Sequence, residues 1–360
     1  ESLNQFQRGY DVFRTFGICH FDISPRILAR TLKIQNSLKS LKLYFKSNLN
    51  QSNLSSISNT LKHHHKLEEF AITIQYCFGL RASSVNHLQN LMHHKLPLRS
   101  LSVDIWNLNY EFYSNLNLLR PLPSLEKLIF RFSFCSELCY TDIDKMLKNI
   151  ALFTNMRDVA LCFPDCRSID DEALYVIKEA LLSLNCLTSL FLDFTSCSNI
   201  SDNGFGFIND LIKHKNILQS LSLDFGFCPK ITLEGWKTFE GVLAHKENLT
   251  TLKLNFQRHT RTGETGLSFL LSEIKLNGKN LKTLNLWITI PEYTSQKAIS
   301  SLANTILSLN NLTEIALEYQ ATETESIQLL GEIISSKSLR TIFLNLPQTK
   351  IPDAKVNQLK

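Results

Sequence analysis

Leu61–Phe70 reads LKHHHKLEEF, and its three consecutive histidines between lysines are the residues most suggestive of metal chemistry. Nine cysteines add soft ligands and nucleophiles. Cys19 directly precedes His20, which pairs the residue types of a thiol nucleophile and its base. In each case the spacing argues against the chemistry. Consecutive helical residues are about 100° apart, so His63, His64 and His65 do not converge on one ion. Adjacent strand residues point to opposite faces, which separates Cys19 from His20. Cys135–Cys139 and Cys162–Cys166 are spaced CxxxC, unlike the paired CxxC of a zinc site. The sequence contains no P-loop, nucleophile elbow, HExxH, GxGxxG or kinase signature, and GETG and GFGF are too short to cradle phosphate. No catalytic residue, cofactor or metal site is expected, and no enzymatic activity within these residues.

A repeat accounts for the histidines and cysteines. The pattern φ-x-x-φ-x-φ-x-φ, with φ apolar, recurs as LKSLKLYF from Leu38, LTSLFLDF from Leu187, LQSLSLDF from Leu218 and LTTLKLNF from Leu249. Further copies start at Leu67, Leu98, Leu125, Met156, Leu281, Leu312 and Leu339, with a weaker one at Phe13. The starts are 25 to 32 residues apart, too regular for chance. The second half of each copy has a helical period. Leu174, Ile177 and Leu181 form an i, i+3, i+7 stripe, as do Phe205, Ile208 and Ile212. The same stripe is predicted at Trp236, Phe239 and Leu243, at Ile143, Met146 and Ile150, and at Ile299, Leu302 and Ile306. SIDDEA, NISDNG and KITLEG supply capping residues and first-turn acids where the helices begin. One such strand–turn–helix unit cannot bury its apolar side alone, so the units must stack.

In this frame His63, His94, His214 and His245 each lie four residues before the first φ of the next copy. Lys62, Lys66, Lys95, Lys213, Lys215 and Lys246 share that window. These are predicted last turns of helices, where unpaired carbonyls favour cations. The histidine row is read as structural. Cys77, Cys135, Cys166, Cys197 and Cys228 stand ten residues after the first φ and should form a ladder of buried, reduced thiols. Such thiols point to a reducing interior such as cytosol or nucleus, and the expected location is intracellular and cytoplasmic, in cytosol, cytoskeleton or cilium.

The LxxLxL core and its period resemble leucine-rich repeat proteins, specifically the ribonuclease-inhibitor-like class, over about residues 13–350. The resemblance implies an α/β solenoid shaped as a horseshoe, with a parallel sheet on the concave side and helices on the convex side. About twelve repeats would form a single domain over residues 1–360. The family pattern has Asn or Cys eight residues after the first Leu, whereas this chain has a further apolar residue at seven. With 23 Phe, 12 Gly and recurrent Asn and Lys, the composition resembles that of AT-rich genomes such as those of ciliates. The start at Glu1 shows neither an initiator methionine nor a signal peptide, as expected for part of a longer chain or for a mature segment.

The strand positions between the φ residues would face the concave side. Six residues after the first φ they include Tyr44, Asp104, Arg131, Asp193, Asp224, Asn255, Trp287 and Glu318. Phe191 stands four after its φ and Trp106 eight. These ten residues are the candidate partner-binding set, because aromatics on a face that should be solvated are candidate protein anchors. A net charge of +5 is mild, and basic residues gather at predicted helix ends. Lys39, Lys42 and Lys46 are read as a solvated edge, so nucleic acid is not expected. No apolar run is long enough to span a membrane. The expected function is a non-catalytic protein–protein interaction scaffold, a subunit of a larger eukaryotic assembly. The alternatives are a regulatory arm of a longer enzyme such as a kinase, or a nuclease inhibitor by fold analogy.

Overall fold

The computed structural model describes Leu32 and residues 38–345, except 62, 92–95, 109, 121, 258–262, 289–295, 320–330, 332, 334, 335 and 337. The weak copy at Phe13, Cys19, His20, Lys62, His94, Lys95 and the closing segment KIPDAKVNQLK lie outside the described residues.

Every φ motif from Leu38 onward becomes a strand: β1 Ser40–Lys46, β2 Glu69–Gln75, β3 Ser100–Trp106, β4 Lys127–Ser133, β5 Asp158–Cys162 and β6 Ser189–Asp193. They continue as β7 Ser220–Asp224, β8 Thr251–Phe256, β9 Thr283–Ile288, β10 Glu314–Tyr319 and β11 Thr341–Asn345. These strands form one parallel sheet in chain order, with β1 and β11 at opposite edges, so it does not close into a barrel. Equivalent motif positions pair throughout, as in Leu41↔Phe70, Phe70↔Leu101 and Leu101↔Leu128. The helices between them are α1 Gln51–Leu61, α2 Ala82–Leu91, α3 Tyr110–Tyr113, α4 Tyr140–Leu147, α5 Asp171–Leu182, α6 Asp202–Lys213, α7 Leu233–Lys237, α8 Gly263–Asn277 and α9 Gln296–Leu307. Apolar strand and helix residues merge into one continuous core.

The repeats are joined by backbone bonds that no repeat can make alone. At each strand start, one carbonyl accepts two N–H groups from the next repeat, as Glu68 O does from Arg99 and Ser100. Beyond the strand, the residue nine after the first φ donates its N–H across the junction. Tyr76 N reaches Trp106 O, Phe134 N reaches Pro164 O and Phe227 N reaches Gln257 O, at 3.1, 3.0 and 2.9 Å. Ten residues after the first φ the cysteine thiols donate backwards. Cys166 Sγ donates to Phe132 O, Cys197 Sγ to Phe163 O and Cys228 Sγ to Phe194 O, at 3.1, 3.1 and 3.2 Å. The acceptor residues belong to the extra apolar row at position seven. Its rings run Phe132, Phe163, Phe194, Phe225 and Phe256, with neighbouring centroids 5.2 to 6.3 Å apart. Cys135 begins the thiol run, and the Tyr113 hydroxyl donates to its sulfur at 2.9 Å.

On the helix side, Asp171 Oδ1 and Oδ2 accept from the backbone N–H and hydroxyl of Ser201, the cap of the next helix, at 2.8 and 2.5 Å. Asp202 holds Thr232 in the same way. The clasp needs glycine opposite it, because a Cβ on Gly204 would lie 2.4 Å from Asp171 Oδ1.

Two expectations change. The stripe through Trp236, Phe239 and Leu243 is buried, but α7 ends at Lys237. Gly241 turns the chain at φ +75, and Glu273 from α8 accepts the freed N–H groups of Gly241 and Leu243. Of the predicted helix-end cations, His214 does cap α6, with Nδ1 2.8 Å from Asp210 O. Lys215 and Lys246 instead turn inward and are buried. Lys215 Nζ donates to Leu182 O and Leu184 O at the end of the preceding helix, so it serves a neighbouring repeat's carbonyls. Burial pulls its ammonium down to about 8.

Gly204→Ala is expected to cost about 1–3 kcal/mol through the clash with Asp171. In an Asp171→Ala background the same change should cost under about 0.5 kcal/mol. Urea unfolding of the four proteins measures this coupling, and equal costs in both backgrounds would refute the clasp.

Candidate functional site

The strand face turned away from the helices carries two rows. Ile129, Ala160 and Phe191 pair sideways at position four, and Ala160, Cys162 and Phe191 form an apolar cluster separate from the main core. The sheet also brings Tyr44, Thr73, Asp104, Arg131, Cys162, Asp193, Asp224, Asn255, Trp287, Glu318 and Asn345 into one line, each paired with the next. Eight of the ten candidate residues therefore share a single row. Phe191 lies in the row beside it, and Trp106 lies at a strand end.

Their exposure divides them. Tyr44, Asp104, Trp106, Arg131 and Trp287 are half-buried. Phe191, Asp193, Asp224, Asn255 and Glu318 are buried. Most of the row bonds to itself. Asp193 Oδ1 accepts from Thr195 N at 3.0 Å, Asp224 Oδ1 from Gly226 N at 3.0 Å and Asn255 Oδ1 from Gln257 N at 3.1 Å. Each closes an Asx turn, so these side chains also end their strands. Between strands, Asn255 Nδ2 donates to Asp224 Oδ2 at 2.9 Å, and Arg131 Nη1 spans Cys162 to lie 3.9 Å from Asp193 Oδ2. Tyr44 Oη donates to Gln75, Trp106 Nε1 to Asp104, and Gln257 Nε2 to Glu318. Over β1–β4, where Ala71 and Ser102 are small, the face dips into a hollow of about 170 Å³.

Burial sets the electrostatics. It raises the Asp104 carboxyl to about 6, although Arg131 and the Trp106 N–H pull it down. It raises Asp193 against the opposing pull of Arg131. Asp224 reaches about 7, through burial first and the neighbouring Asp193 charge second. Among the described residues no group of three His, Cys, Asp or Glu is arranged to hold a metal. In the opening stretch, His63 and His65 are exposed while His64 is buried.

Sequence reasoning missed three exposed phenylalanines that stand just past the strand ends, Phe78, Phe134 and Phe227. Position nine has positive φ in seven consecutive repeats: Ser47, Tyr76, Asn107, Phe134, Asp165, Ser196 and Phe227. A left-handed conformation is uncommon for bulky residues, yet Phe134 and Phe227 hold it while 47% and 45% exposed. Phe78, 53% exposed, lies on the same edge, and Trp106 packs against Phe134 at 5.9 Å between centroids. The only available signal was the alignment of position nine, whose residue types share no propensity.

Compared with known proteins, the chain matches no family model and no curated protein.

With Asp224 raised to about 7, the folded chain retains a proton that the unfolded chain releases near pH 4. This group therefore lowers stability as pH rises from about 4 through 7. Asp224→Asn is expected to gain about 1–2 kcal/mol at pH 8 and almost nothing at pH 4. Urea midpoints at both pH values test this, and an equal change at each would contradict it.

Proposed function

We propose that the chain is a non-catalytic protein-interaction scaffold built on leucine-rich-like repeats of the ribonuclease-inhibitor-like kind. In this reading it is a subunit of an intracellular assembly whose partner docks on the concave strand face and the strand-end turns. One observation carries the proposal. A rigid, hydrogen-bonded sheet edge presents exposed Phe78, Phe134 and Phe227, two of them in left-handed turns that a smaller residue would occupy at lower cost. Strain of this kind clusters at functional positions, and exposed aromatics are the usual anchors of protein interfaces. The strand face beside them contributes the half-buried Tyr44, Trp106, Arg131 and Trp287 and the hollow near Ala71. Among the described residues, no helix is long and apolar enough to cross a membrane.

The test is quantitative recovery of the native partner on the immobilised chain. Trp106→Ala with Phe134→Ala should reduce recovery about tenfold or more, with the urea transition confirming that the chain still folds after losing the Trp106–Asp104 bond and the contact between the two rings. Trp287→Ala and Asp193→Lys examine the strand face. Wild-type recovery of every partner by all four variants would overturn the proposal.

A further inference from the structure

The middle of the strand face is short of positive charge. Asp193 and Asp224 pair directly across β6 and β7 and are 5% and 3% exposed. Neighbouring strands are about 4.8 Å apart, and two carboxylates that close in a water-poor setting resist joint ionisation. A carboxylate can accept about four hydrogen bonds. Asp193 Oδ1 already accepts from the N–H and hydroxyl of Thr195, whereas its Oδ2 has Arg131 at 3.9 Å, beyond hydrogen-bond length. Asp224 Oδ2 accepts the neutral Asn255 amide.

A second, independent observation lies two residues before Asp224 on the same face. Ser222 Oγ is buried at 5% exposure and has no hydrogen-bond partner among the described residues. An unmet buried hydroxyl costs about 1–3 kcal/mol, which a ligand able to donate or accept there would recover. Phe191 pairs beside Ser222 and gives an apolar surface for an aliphatic stem or a cation.

We propose that the patch of strand face formed by Asp193, Asp224 and Ser222 receives one cationic side chain, lysine or arginine, from the docking partner. This rests on the interaction reading above and adds the chemistry of the contact. The two rows supply four carboxylates, Asp104, Asp193, Asp224 and Glu318, against three cations, Arg131, Lys253 and Lys42, the last on β1 and remote from the aspartate pair on β6 and β7. Lys253 pairs beside Ser222 on β8, but its attraction is to Glu314, and burial pulls its ammonium down. Glu318 is held by Gln257. An incoming ammonium or guanidinium would bridge the two aspartates and donate to Ser222. Ionisation of the aspartate pair makes binding tighter at pH 8 than at pH 5.5.

The experiment titrates the whole chain with acetyl-arginine amide and with its neutral isostere acetyl-citrulline amide, following chemical shifts at pH 8 and 5.5. Arginine should bind saturably and at least about tenfold more tightly than citrulline, the discrimination expected of a charge-assisted bond. Asp224→Asn should weaken arginine about tenfold and Ser222→Ala several-fold, the latter with a raised unfolding midpoint because the unmet hydroxyl is gone. Equal binding of the two probes, or arginine binding unaffected by both variants, overturns the proposal. If partner recovery still depends on Phe134 while arginine does not bind, the cation site alone fails. If arginine binds but partner recovery ignores every variant, the docking reading fails instead.

Discussion

No strand–helix unit of this chain can satisfy its own backbone. Each strand start from β2 onward passes two N–H groups to the carbonyl of the preceding repeat, and the strand ends of β1 to β7 each pass one forward to the following repeat. The forward bond comes from a residue already turning out of the strand, so seven repeats hold that residue at positive φ whatever its side chain. The cysteine one position later donates its thiol back across the same junction in three consecutive repeats. With polar groups closed only between neighbours, stability becomes a property of junctions, as one-dimensional repeat arrays require. The phenylalanine row and the aspartate–serine clasps add to junctions that the backbone has already defined.

How much of this could be read in advance depended on whether a feature leaves a local period. The strands and their register were legible, because in φ-x-x-φ-x-φ-x-φ the last three φ residues alternate and permit only one way to bury them together on one face. The rows that align Tyr44 with Glu318 follow directly from that register. Helix ends were less legible. The apolar spacing at Phe239 and Leu243 is helical, but a glycine turn and a carboxylate from the next helix take over those N–H groups. Lys215 looked like the cap of its own helix, yet it serves the helix before it, a contact 31 and 33 residues away that local spacing does not encode. The left-handed phenylalanines run against propensity, so tertiary bonding alone reveals them.

The strand face shows the same limit. Its residue types suggested a solvated, mixed surface, while the structure buries Asp193, Asp224, Asn255 and Glu318, bonds Asn255 to Asp224 across strands and sets half-buried Arg131 in an ion pair with Asp193. Asp193 and Asp224 therefore terminate their strands and also make the centre of the face acidic. In the proposed docking, the exposed aromatics at the strand ends and the acidic centre beside them would give a partner two different contacts, one apolar and one ionic. Aromatic anchors supply affinity, and a charge that must find its counter-charge supplies selectivity.

The central claim is that the strand-end amides belong to the sheet although they lie beyond its strands. Native-state hydrogen exchange of Tyr76, Asn107, Phe134, Asp165, Ser196 and Phe227 tests it most directly. The account predicts that these six amides exchange as slowly as those of Val103, Leu161 and Leu192 within the strands, because opening any of them breaks a junction. Exchange at the rate of exposed loop amides, while the strand amides stay protected, would contradict it.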